Sequence, residues 1–170
     1  MKALPIAVAG VIAALTLFGF APDSQAERRD QTYVKSVYRS ASKTTVPFSD
    51  AEGHEVAQEL GIAVPRYSNA AFNVNEEWDF IHSDFVGGSG PQRGYYIYFL
   101  EDGEQVYGTF EGAVQTVASQ DGSWKSTWEG TYRYVGGTGK YKNIQGTGKY
   151  KGSVGSKEPF HEEGKETIEY

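Results

Sequence analysis

The sequence predicts an all-β protein, a single eight-stranded antiparallel β-barrel that follows a cleavable N-terminal signal peptide. Three observations carry that expectation. Glycine (21), tyrosine (12) and phenylalanine (9) are abundant among the 170 residues, a balance that favours strands over helices. A period of two recurs along the chain, most cleanly in WKSTWEGTYRYV, where Trp124, Ser126, Trp128, Gly130, Tyr132 and Tyr134 share one face and Lys125, Thr127, Glu129, Thr131 and Arg133 the other. Turn pairs punctuate these runs, Asp102-Gly103 and Asp121-Gly122 among them.

Residues 1–26 read as the signal peptide. Lys2 precedes an apolar run from Ala3 to Phe20, and Ser24 and Ala26 fit the small-residue cleavage positions. An uncleaved anchor is the alternative, because the run is only just long enough to span a bilayer. Residues 27–170 suit one domain, with no linker or composition shift to divide them. The chain has no cysteine, so an exported protein folds without disulfides and a lipoprotein anchor is excluded. Localisation is expected to be secreted or periplasmic, with no membrane association after cleavage. Sixteen basic residues face 22 acidic ones, a net charge of −6, and removing Lys2 and Asp23 with the leader leaves it unchanged. An acidic chain without a long basic run argues against nucleic acid. The one basic cluster, at Lys140, Lys142, Lys149 and Lys151, suits solvated turn and edge positions.

Strands are expected over residues 32–46, 54–64, 70–86, 95–100, 104–117, 124–135, 145–154 and 161–170. HEVAQELGIAV reads as strand, with a short helix as the alternative because Val56, Leu60 and Ala63 recur at helical spacing. GGSGPQRG, residues 87–94, is expected to be a flexible loop. The count suits a closed barrel or a sandwich. Closure is preferred, because glycines inside strands (Gly108, Gly112, Gly130, Gly146, Gly148) relieve the crowding and bending that a small barrel imposes.

GTGKYK occurs twice, at 137–142 and 146–151. A phosphate-binding loop needs G-x-x-x-x-G-K-[ST], yet each Gly-Lys here is followed by tyrosine, and Lys142 and Lys151 replace the third glycine of a dinucleotide fingerprint. The repeat therefore marks two strand ends around a turn at 140–144.

Candidate chemistry is sparse. Glu76, Glu77, Asp79, His82 and Asp84 lie together in NEEWDFIHSDFV. Glu77, Asp79 and His82 are the weak catalytic candidates, expected near a barrel mouth; outward-facing strand positions are the plainer reading. His54, His82 and His161 show no metal-ligand spacing, and neither a metal nor a cofactor is expected. There is no G-x-S-x-G. The aromatic face of 124–135 either fills the core, lines a ligand cavity or forms an exposed platform. In the cavity reading the ligand-binding residues are Tyr96, Phe110, Trp124, Trp128 and Tyr132.

Glu52-Gly53-His54, then GSGPQRGYYIYFLEDG, YGTFEG and WEGTYRYVGGTGKYKNIQGTGKYKG, resemble the bacterial branch of the allene oxide cyclase barrel-like proteins, structurally akin to dirigent proteins. The resemblance is densest over 88–152 and rests mostly on turn and glycine positions. It implies an eight-stranded barrel with an apolar cavity, and a homo-oligomer as an expectation from plant members. No catalytic residue carries over by motif. The expected function is an exported barrel binding a small apolar or aromatic molecule in its interior. A cyclase or isomerase folding a flexible apolar substrate, and a barrel acting through its outer surface, are the alternatives.

Overall fold

The computed structural model describes residues 27–68 and 71–170; the expected signal peptide lies outside the described residues. Ten strands are present, β1 (Arg28–Lys35), β2 (Tyr38–Pro47), β3 (His54–Ala63), β4 (Arg66–Ser68), β5 (Val74–Val86), β6 (Gly90–Leu100), β7 (Gln105–Ala118), β8 (Trp124–Gly137), β9 (Gln145–Gly155) and β10 (Glu158–Glu169). They form one curled antiparallel sheet in the order β2-β3-β5-β6-β7-β8-β9-β10-β1-β4. From β5 to β10 each strand pairs with its sequence neighbour, a meander of the kind that short turns enforce.

The two Asp-Gly turns show why that dipeptide recurs. Gly103 and Gly122 take φ of +84° and +80°, while Asp102 and Asp121 accept hydrogen bonds from the backbone N–H two residues on, at 3.2 Å and 2.9 Å. The turn between the GTGKYK copies holds a single 3-10 turn, Gly139–Tyr141, and Gly139 has φ of +51°.

Several expectations about extent are corrected. The stretch expected as one strand over 32–46 is two, because Ser36 and Val37 break the ladder. HEVAQELGIAV forms strand β3, as expected, its backbone paired on one side with β2 and on the other with β5. Residues 87–94 are not a loop. Only residues 87–89 turn, and β6 starts at Gly90 and pairs with β7 from its first residue. Glycine there supplies a tight turn, and a long flexible segment is not needed.

The concave side of the sheet carries the core, and its chemistry is repetitive. Tyr96 lies across Gly108, Tyr132 across Gly148, Trp128 across Gly152, Tyr33 across Gly164 and Phe110 across Gly94; a Cβ at any of these glycines would overlap the ring. In each case ring and glycine are direct cross-strand partners. A ring on a tightly curved sheet must lean over its neighbour, and only glycine leaves the room. The recurrent glycines therefore seat aromatic side chains, a role more specific than easing strand curvature. Seven tyrosines, at 33, 96, 98, 132, 134, 141 and 150, are buried in one cluster, several meeting edge-on or tilted as ring quadrupoles prefer.

Candidate functional site

β5 fixes the site through its alternation. Positions 77, 79, 81, 83 and 85 turn to the concave side, and Glu77 and Asp79 are buried there. β1 brings Lys35 to the same place, in phase with buried Gln31 and Tyr33. The Lys35 ammonium donates to Glu77 Oε1 at 2.8 Å and lies 3.0 Å from Glu162 Oε1, which β10 supplies. Glu162 is fully engaged: Tyr33 OH donates to Oε1 at 3.1 Å and Trp128 Nε1 to Oε2 at 2.8 Å.

Three buried polar atoms have no partner among the described residues, Tyr67 OH in the ring cluster and one each on Glu77 and Tyr96. Glu77 is 2% exposed and Tyr96 3%, yet Glu77 Oε2 and Tyr96 OH make no hydrogen bond. An orphaned buried acceptor or hydroxyl costs about 1 to 3 kcal/mol. Glu77 and Tyr96 are among the residues lining a cavity of about 320 Å³, with Tyr33, Phe110, Trp128 and Tyr150, within the usual size range of small-molecule pockets, although the two unpartnered atoms are themselves sealed from its open space.

The electrostatics follow from burial. Loss of water works against the Lys35 charge, but Glu162, Glu77 and Asp79 hold its pKa well above the ordinary lysine range. Burial, then the charge of Asp79, pushes the Glu77 carboxyl well above the carboxylate range, with Lys35 opposing. Asp79 is raised foremost by burial, against Lys35, with Glu162 adding to the rise. The cluster thus holds one ammonium, and Glu77 and Asp79 favour a bound proton over a second negative charge. Burial also keeps the phenols of Tyr33, Tyr96 and Tyr98 protonated.

Deeper in the core, Glu166 accepts hydrogen bonds from Gln31, Tyr132 and Tyr134, the last at 2.8 Å to each oxygen. Burial raises its pKa while these donors oppose the rise. Every oxygen there is satisfied, so this carboxyl fixes the Tyr132 and Tyr134 rings in place.

Of the residues expected to bind a ligand, the structure brings Tyr96, Phe110, Trp128 and Tyr132 to the cavity wall. Trp124 is corrected. It shares their face but begins β8, is 43% exposed, and lies outside the lining. Of the catalytic candidates, Glu77 and Asp79 are interior rather than at a rim, and His82 falls on the convex face, beside Arg93 and Gln58. Glu76 accepts from Trp78 Nε1 at 2.5 Å, and Asp84 lies 2.9 Å from His54 Nε2; both are outside the cavity. Lys35, Glu162 and Glu166 were not anticipated. The signal for them was parity: in QTYVK and in FHEEGKETI, alternate positions from Tyr33 and from Phe160 point inward, charged ones included.

No family model matches the chain, and no curated protein matches it. Among solved structures, one described as the pterocarpan synthase dirigent protein GePTS1 is similar at 14% identity, covering 96% of this chain and 99% of that chain, with a TM-score of 0.34. Identity and score at these levels assign neither family nor activity.

Proposed function

We propose that the protein is an exported binding chamber that takes one small aromatic or apolar molecule into its interior and holds it in a fixed orientation. The observation that carries this reading is the tyrosine-walled cavity of about 320 Å³, with buried Lys35, Glu77 and Asp79 among its lining residues. A space of that size suits one small molecule.

We infer further that the curled sheet closes into an eight-stranded barrel. β1 pairs with β4 as Tyr33↔Tyr67 and Val34↔Arg66, and β2 pairs with β3 from Tyr38↔Ala63 onward, so β1–β2 and β3–β4 run as two long bent strands side by side. Counted that way, β1 links β10 on one side to β4 on the other, and β3 continues to β5. Where β2 leaves β10, stacked rings span the gap: Tyr38 and Phe160 are 5.3 Å apart, and Phe160 and Trp128 5.4 Å. Eight strands suit an interior of one small ligand, and the resemblance of residues 88–152 to allene oxide cyclase barrel-like proteins accords with this closure.

A second reading is favoured by one observation. Glu77 and Asp79 are buried carboxyl groups on the cavity lining whose pKa values burial raises, the direction a general acid needs in a cyclase or isomerase. Turnover of a conjugated or epoxide substrate that disappears in Glu77→Gln and Asp79→Asn would separate catalysis from binding.

The binding reading is tested with a panel of fatty acids, polyenes and phenolics. A ligand should raise Tm and change the tryptophan emission in the wild type and in Trp78→Phe and Trp124→Phe, but leave the emission of Trp128→Phe unchanged. If no compound raises Tm, the chamber reading fails.

A further inference from the structure

One row of inward positions crosses five strands as direct partners: Ser83 on β5, Gln92 on β6, Gly112 on β7, Gly130 on β8 and Tyr150 on β9. The two glycines leave room for the end of the Tyr150 ring. Its hydroxyl thereby reaches Gln92, whose Nε2 donates to it at 3.4 Å. Ser83 is 6% exposed, and both Ser83 and Gln92 line the cavity. The Ser83 hydroxyl makes no hydrogen bond among the described residues, yet it is not one of the sealed atoms, which are Tyr67 OH, Glu77 Oε2 and Tyr96 OH. It therefore opens on the cavity. The next inward positions along β5 are Ile81 and Phe85, and those beside Gly112 on β7 are Phe110 and Val114; all four line the same space. Ser83 and Gln92 thus form a neutral polar island in an apolar field, set apart from Asp79 and Glu77 by Ile81.

We propose that this island is the polar subsite of the chamber and that it holds a neutral carbonyl oxygen of an aromatic or apolar ligand, between the Ser83 hydroxyl and the second N–H of the Gln92 amide. The proposal rests on the chamber reading and specifies its ligand class. Directly opposed residues of paired strands hold their Cβ atoms about 5 Å apart, so two short donors converge on one oxygen. A carbonyl oxygen has two lone pairs and no proton of its own, and accepts from both. A ligand without oxygen leaves the buried Ser83 hydroxyl unpaired, which is costly. A carboxylate finds no free ammonium here, because Lys35 is committed to Glu77 and Glu162 and Lys43 stands directly across from Glu59.

The test is titration calorimetry of the folded protein with three probes of one size, acetophenone, ethylbenzene and benzoate. Acetophenone should bind about tenfold more tightly than ethylbenzene, the worth of one to two net hydrogen bonds, and benzoate more weakly than acetophenone. In the infrared, the carbonyl band of bound acetophenone should fall below its frequency in hexane and move back towards it in Ser83→Ala. In Ser83→Ala with Gln92→Leu, the acetophenone-to-ethylbenzene ratio should drop to near one while ethylbenzene affinity changes less than about threefold. Ethylbenzene binding as tightly as acetophenone, benzoate binding more tightly, a bound carbonyl at its hexane frequency, or a preference that survives the double substitution overturns the proposal. Should polyenes or phenolics from the wider panel bind while none of the three probes does, the carbonyl subsite is wrong and the chamber stands. If nothing binds in either set, both readings fall together. The wild-type affinities and carbonyl band decide the matter even where a variant does not fold.

Discussion

The two ends of the interior are built from the same aromatic stock and reach opposite results. At one end Leu100, Val106, Tyr141, Ile144 and Ile168 are all 3% exposed or less, with the corner after β8 folded in as a plug. At the other, half-buried Phe160, Trp128, Phe85 and Val154 surround the cavity, and the ring stack from β2 to β10 stands where backbone hydrogen bonds end. The difference lies in what accompanies the rings. Small aliphatic side chains fill the gaps between rings at the plugged end, whereas charged groups at the open end cannot close-pack without leaving an unpaired atom. Packing is therefore tight at one end and leaves a cavity at the other.

The sharpest way to break that contrast is to remove the ammonium at the open end. Lys35→Met leaves Glu77 and Glu162 facing each other without a cation, and breaking a buried pair from one side costs about 3 to 5 kcal/mol. The sign with pH follows from the raised carboxyl pKa values. Folded-state carboxyls above their ordinary range bind more protons than the unfolded chain does, so stability falls as pH rises through that range and recovers as it drops. Urea unfolding should show the largest deficit at pH 7 and a clearly smaller one near pH 4 to 5. A deficit independent of pH would mean that Lys35 contributes packing and not charge.

A paired truncation measures the difference in packing directly. Ile168→Ala, at 0% exposure, should cost about 2 to 5 kcal/mol, since the plugged end has no freedom to collapse around the hole. Phe160→Ala removes a larger side chain yet should cost only about 1 kcal/mol, because part of its surface is already wet, and it should speed ligand entry in stopped-flow fluorescence. Equal losses in thermal unfolding would show the open end to be as tightly packed as the plug.

The strands, the Asp-Gly turns and the inward face of 124–135 were legible because period two and turn chemistry are local signals. Of the five aromatic residues expected on a cavity wall, Tyr96, Phe110, Trp128 and Tyr132 stand there, while Tyr33, Tyr38, Phe85, Tyr98, Tyr150 and Phe160 of the same wall were not singled out. Trp124 was misplaced because alternation fixes a side chain's face but not its height along the sheet. His82 was misplaced for want of parity with Glu77 and Asp79, which was available in the same strand. Lys35 and Glu162 stayed hidden for a deeper reason. A charged residue at an inward position is rare enough that sequence patterning reads it as outward, and its partners come from strands distant in the chain. The pairing of each ring with a glycine was equally non-local, since it depends on register, which two runs separated by a turn do not reveal on their own.

The smallest expected effect sits at the edge of the open end. His54, at the start of β3, faces Asp50 from Nδ1 at 2.5 Å and Asp84 from Nε2 at 2.9 Å, and its ring stacks on Phe48 at 5.0 Å. Two carboxylates require two donors, which only the imidazolium has. Hydrogen bonds from the ring to Asp50 and Asp84 raise the His54 pKa, and the same contact lowers that of Asp50. The bridge is therefore complete below the ordinary histidine range and is lost as pH rises through the raised value, with a second loss in strong acid as Asp50 protonates. Beside it Gly87 N–H donates to Gly53 C=O at 3.0 Å, so the bridge braces the turn after β2 against the turn after β5. His54→Gln should lower Tm at pH 5 by a small margin that vanishes above the histidine pKa, and the imidazole proton shifts followed by NMR should titrate above their ordinary midpoint. A midpoint at or below the ordinary value would show that water, and not the two aspartates, sets the charge of His54.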